Sequence, residues 1–174
     1  MDLLNGIYHE NLPDRLTISR AMLKSKDLPQ EAGDLVAKIY HRDSDDDFSF
    51  AARLRSLPRH WGSLECLMYY DAMVNNGGHK QYFTNSSGAY LDMVESGLAL
   101  YCDQNIQNIF KRALFRYDAV RFRDYGFLDE SAGGLDGRSI SPYDDLDSLY
   151  FRSDPSLTAQ VDKYIRSNLD AFEE

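Results

Sequence analysis

Little in this 174-residue chain speaks of secretion or of a membrane. It holds two cysteines, Cys66 and Cys102, too few for a disulfide framework. Each sits in an apolar helical pattern, so both are expected to be reduced core thiols. The opening MDLLNGIYHENLPDRL lacks a basic start, an apolar leader core and a cleavage pattern, so no signal peptide is expected. No apolar run approaches the roughly 20 residues that a membrane helix needs. A cytoplasmic location is therefore expected, with no membrane partner. Histidine is sparse as well: His9, His41, His60 and His79 form no HExxH and no i, i+4 pair. There is no CxxC and no GxSxG. Glu65 and Asp71 stand six apart, on different sides of a helix, and make no obvious carboxylate pair. No enzyme, no metal and no cofactor are expected.

Basic residues are the remaining shortfall. Lysine and arginine total 19 against 28 acids, a net charge of −9. Such a chain repels nucleic acid and anionic lipid and attracts basic surfaces. The same excess also serves solubility alone, and composition does not choose between the two.

What is abundant is helical periodicity. Hydrophobic residues make up 43%, with twelve Tyr and nine Phe, ample for one core in a single domain over 1–174. Ile106, Ile109, Phe110, Ala113, Leu114 and Tyr117 repeat at i, i+3, i+4, i+7, as one buried helix face requires. Leu91, Val94, Leu98 and Tyr101 do the same. Leu157, Val161, Ile165, Leu169 and Phe172 predict an unbroken stripe over four turns. Leu64, Leu67, Met68 and Ala72 belong to a central, buried helix, and 13–26, 33–42 and 47–57 are weaker helical candidates. No stretch alternates with period two over six residues. The fold class is all-α: a single compact helical domain with short connecting loops and one longer Gly-rich loop near 125–141. Ser141-Pro142 and Asp154-Pro155 each place a capping side chain before a proline at the first helical position. Asp144 then stands where an acid favours a helix N-terminus.

The run YYDAMVNNGGHKQYFTNSSG, residues 69–88, is the densest local signal. A phosphate loop would follow a strand and put a lysine and a hydroxyl at the helix entrance. Here Gly77-Gly78 follows a helix, and Lys80 has no Ser or Thr beside it. The simpler reading is a corner: Asn75, Asn76 and Gly77 end one helix in the left-handed region. A short second helix starts near Gly78 and carries Gln81, Tyr82 and Phe83 inward, and Asn85 turns the chain toward the Leu91 helix. A ligand contact at this corner stays open.

From Val74 to Gly88 the string VNNGGHKQYFTNSSG resembles the signature of the DNA-mimic protein domain family, and similarity continues through about residues 60–170. His79 stands where that pattern prefers an aromatic residue. The resemblance implies a homodimeric, all-helical protein that occupies the DNA-binding face of a bacterial helix-turn-helix transcription factor. Its operator binding would then be blocked and transcription altered. The signature residues themselves read as fold-forming.

A mimic must array carboxylates at a density comparable to duplex DNA, about one charge per 1.7 Å of axis. Charge is segregated in that sense. Asp43, Asp45, Asp46 and Asp47 form one acidic run. Asp124, Asp129, Glu130, Asp136, Asp144, Asp145, Asp147 and Asp154 form a second, with a net of −6 after Arg138 and Arg152. Residues 107–123 carry the opposite sign, a net of +4. These twelve acids are the candidate phosphate-mimicking residues, against the plainer reading of a solvated face with helix caps. DSDDD also suggests a calcium loop, but Phe48 and Leu54 stand where an EF-hand needs glycine and glutamate. Two alternatives remain: a general or immunity-type module for another basic protein, and a hydrolase with its site at the Asn-Gly-Gly-His corner.

Overall fold

The computed structural model describes residues 16–39, 47–86, 88–123 and 141–172, with the side chains of 47 and 120–123 left aside. Among these residues there are seven α-helices and no β-strand element. The helices are α1 (Leu28–Ile39), α2 (Asp47–Arg55), α3 (Arg59–Asn85), α4 (Leu91–Tyr101), α5 (Gln104–Arg123), α6 (Asp144–Phe151) and α7 (Leu157–Ser167). The Gly-rich stretch near 125–141 lies almost wholly outside the described residues.

Helix α3 is the axis of the molecule. Residues Trp61 to Met68 are buried in an unbroken run, Ser63 and Glu65 included, so this segment is enclosed on every face instead of presenting one side to solvent. It packs on α1 and α4 most extensively, and also on α2, α6 and α7. From α1 it receives Leu28, Ala32 and Val36, all fully buried. Aromatic rings lock the far half of α3 to the C-terminal helices. Tyr70 meets Tyr82, Phe110 and Tyr150 edge to face at 4.9, 5.3 and 5.8 Å, the geometry that ring quadrupoles favour. The guanidinium of Arg166 on α7 donates to the carbonyls of Leu23 and Ser25 at 2.6 and 2.9 Å, tying the C-terminal helix to the approach to α1.

The predicted α4 and α5 stripes match the helices. Elsewhere the boundaries move, and local side-chain hydrogen bonds explain why. Over 13–26 the described part holds only a 3-10 turn, Met22–Lys24. Ser19 Oγ accepts from Met22 N, and Ser25 Oγ accepts from Asp27 N, so the chain turns there and α1 starts at Leu28 instead of residue 33. Ser141 accepts from Tyr143 N, making a turn, and α6 begins two residues later than the Ser-Pro signal implies. Asp154-Pro155 is a cis peptide ahead of α7, and the cap is Ser156, whose Oγ accepts from Ala159 N at 3.3 Å. The C-terminal stripe is interrupted. Helix α7 ends at Ser167, Asn168 Nδ2 donates to Tyr164 O, and a 3-10 turn, Leu169–Phe172, carries Phe172 into the core. Neither cysteine is in a disulfide; Cys66 is buried and Cys102 partly so.

Candidate partner-binding surface and the Asn-Gly-Gly-His corner

The corner is a break inside α3. Gly77 has φ −157° and ψ 26°, and Gly78 has φ 73° and ψ −179°, a conformation essentially reserved for glycine. The helical ladder is diverted there. The N–H of His79, which an unbroken helix would give to the Asn75 carbonyl, goes to Asp147 Oδ1 at 2.9 Å. The same oxygen lies 2.5 Å from His79 Nδ1. Because a carboxylate only accepts, Nδ1 carries the proton and Nε2 is left to accept from Tyr70 Oη at 2.9 Å. Burial pushes the His79 pKa down, outweighing the opposing pull of Asp147, so the imidazole is neutral at pH 7. The Tyr70 phenol is driven the other way by its complete burial.

Chemically this is a latch. It has the Asp-His-hydroxyl order of a hydrolytic triad, but His79 is 0% exposed and the hydroxyl belongs to a fully buried tyrosine. Both groups are closed off from solvent. The expected inward turn of Tyr82 and Phe83 holds, since both are buried; Gln81 is half-buried and Asn85 exposed. A second polar hub lies about two turns back. Asp71 accepts from Tyr150 Oη on α6, from Thr158 Oγ1 on α7 at 2.8 Å and from Asn75 Nδ2 at 2.9 Å. Together the two carboxylates fasten α6 and α7 to α3.

Of the acids expected to face a partner, Asp43, Asp45, Asp46, Asp124, Asp129, Glu130 and Asp136 lie outside the described residues, and Asp47 is described by its backbone alone. The remaining four diverge. Asp147 is a correction: its side chain is 15% exposed and committed to His79, so it is an internal strut and no free surface charge. Asp145 is exposed but accepts two bonds from Arg116, at 2.5 and 2.9 Å, and one from Arg112 at 3.4 Å. The Arg116 guanidinium holds its pKa down at about 2. Its charge is permanent but half-answered within the chain. Asp144 and Asp154 are exposed. Asp144 lines a groove of about 460 Å³ between the corner and α6, with Asn75, Asn76, Gly77 and Phe151 along it.

The Asp147 latch was missed from sequence although a signal existed. Leu146 and Tyr150, with Tyr143 at the N-cap, are the buried side of α6, and Asp147, three residues before Tyr150, shares that face. An acid at an inward position announces a buried partner. Nothing in the sequence points to Asp71 as a hub, because its partners stand 79 and 87 residues away. Among the described residues, no group of three or more His, Cys, Asp or Glu is placed to hold a metal ion, and no helix is long and apolar enough to cross a membrane.

No curated protein and no solved structure matches the chain. A family model does, over residues 55–168, from the end of α2 to just past α7, including the corner, its Asp147 latch and the Asp71 hub. That is well over half of the chain, and it agrees with the VNNGGHKQYFTNSSG signature. The chain belongs to the DMP19-like protein family, the DNA-mimic family that the corner resembles.

Proposed function

We propose that the chain is a DNA mimic: a non-enzymatic acidic protein that binds the DNA-binding surface of a bacterial helix-turn-helix transcription factor and keeps it off its operator. The observation that carries this reading is the family match, and the net charge of −9 supplies the physical means. Duplex-binding proteins read phosphates largely through lysine and arginine, and a surface rich in ionised carboxylates meets the same groups. Asp144 and Asp154 contribute such charges as exposed side chains, and Asp145 stays ionised over the whole physiological range. The active species is a cytoplasmic homodimer, whose doubled charge suits a dimeric regulator with two half-sites. The buried, fully engaged state of His79 argues against a hydrolase at the corner.

The test is displacement. Helix-turn-helix regulators are each bound to their own labelled operator duplex, and the protein is titrated in. A mimic releases the duplex stoichiometrically, and does so far less well at about 200 mM salt than at about 50 mM. A ternary complex of regulator, duplex and protein would refute competition for one surface. Replacing both Asp144 and Asp154 by lysine should weaken displacement roughly tenfold, while thermal stability falls by no more than about 1 kcal/mol, the loss expected from reversing a charge at the α6 N-terminus. The same loss from Glu95→Lys on α4 would show that total charge, not placement, is what the regulator senses.

A further inference from the structure

The molecule carries a second surface of opposite character. Along α5, Asn105, Asn108, Ile109, Arg112 and Phe115 recur at three- and four-residue steps, and with Leu149 of α6 they line a groove of about 740 Å³. Ile109 forms its buried floor at 3% exposure. Phe115 stands in it 75% exposed and Leu149 39% exposed, two of the few large apolar side chains that the described residues give to water. Lys111 is the exposed cation along the groove that is left to a partner, since Arg116 is bound to Asp145 and Arg112, though exposed, already reaches the same carboxylate at 3.4 Å. An apolar centre with a cationic edge is unusual on a chain of net charge −9, and it lies in the stretch 107–123 where the sequence concentrates its basic residues.

We propose that this groove docks an acidic amphipathic helix from a partner protein, one distinct from the regulator. Charge complementarity selects the occupant. Carboxylates on one edge of the incoming helix answer Lys111 and compete with Asp145 for the exposed Arg112, held only at 3.4 Å, and an apolar anchor covers Phe115 and Leu149. The lining runs from residue 105 to 116, a span of about 16 Å, or three helical turns, as helix-in-groove recognition uses. A nucleic acid fits less well. Its charge is continuous, whereas the cationic edge is closed off by Asp145 on α6 and by exposed Asp118 one turn beyond Phe115.

A fluorescein-labelled synthetic helix of about 14 residues, with glutamates at i, i+4 and leucine anchors on the adjoining face, is the probe. Anisotropy should show saturable binding to the full chain in the micromolar range, a free energy near −8 kcal/mol. Phe115→Ser and Lys111→Glu should each weaken it roughly tenfold, and the probe with its glutamates changed to lysine should not bind. Both substituted residues are exposed, so the thermal midpoints of the variants report that the fold is intact. Amide shifts should fall on residues 105–116 and 149 and spare the Asn-Gly-Gly-His corner. Operator displacement should be unchanged in the Phe115 variant, which separates this surface from the mimicry. The inference is overturned by no saturable binding up to about 1 mM, or by binding indifferent to Phe115→Ser. It is equally overturned by tighter binding of single-stranded DNA than of the probe, or by self-association that Phe115→Ser abolishes.

Discussion

Two neighbouring glycines at the break in α3 should respond to the same substitution to very different degrees. At Gly78 the backbone lies at φ 73° and ψ −179°. An L-residue there costs on the order of 1–3 kcal/mol in strain alone. The added Cβ would also fall 2.3 Å from Asp147 Oδ2 and 2.9 Å from its carboxyl carbon. Asp147 cannot yield without loosening both bonds that His79 gives to its other oxygen, and a hydrogen bond to a charged acceptor is worth about 1.5–3 kcal/mol. Gly78→Ala should therefore cost about 5 kcal/mol, a shift of about 10–20 °C for a domain of this size. At Gly77, φ is −157°, outside the positive-φ region that strains an L-residue. A Cβ there would meet chiefly Gln81, with Oε1 the nearest atom at 2.0 Å, the end of a half-buried and flexible side chain that can swing away. Gly77→Ala should cost no more than about 1 kcal/mol. Thermal unfolding followed by circular dichroism at neutral pH reads both. Equal midpoints for the two variants, or a Gly78→Ala loss of only 2–3 °C, would refute the account of the corner as a latch built on a glycine-only conformation.

Acidification should weaken the fold through His79. Its pKa is lowered from the ordinary 6.5 by burial, so the unfolded chain takes up the proton first. The contribution of the neutral ring is complete above pH 6.5 and is lost as pH falls below it, by up to about 1.4 kcal/mol per pH unit. His79→Gln should lower the midpoint at pH 7 yet flatten its dependence as pH falls below about 6.5; parallel profiles would count against the assignment. Burial pushes the Cys102 thiol up to about 12, and Cys66 is 1% exposed. Neither should react with a thiol reagent in the native state at pH 8, and both should react once the chain is unfolded; labelling of the folded protein within minutes would disprove it.

The fold was legible where one helix face alternates cleanly with solvent. The stripes Leu91–Tyr101 and Ile106–Tyr117 fall inside α4 and α5 because nothing local competes with the helix there. The break was legible too, since Asn-Asn-Gly-Gly leaves the chain few other conformations, but the positive φ falls on Gly78, whereas Gly77, expected to close the helix in the left-handed region, has φ −157°. The caps were not. Ser-Pro and Asp-Pro read equally well as a helix start and as the turn before one, and the difference rests on Ser141 and Ser156 choosing backbone N–H partners that the sequence leaves undecided. The candidate surface was the least legible part. Four acids within 144–154 look alike as letters, yet one is buried against His79, one is clasped by arginines and two are exposed. A helix turns neighbours 100° apart, so a charge run along the chain is not a charged face.

The seating of α1 has a practical corollary. The family match opens at residue 55, but Leu28, Ala32 and Val36 sit fully buried against α3, and Arg166 grips the carbonyls just ahead of them. The inherited signature and the cooperatively melting unit thus have different borders. A fragment cut to residues 55–168 would bare an apolar flank of α3 and forfeit about 1.5–3 kcal/mol for each of Leu28 and Val36. Such a fragment would precipitate before its recognition properties could be measured.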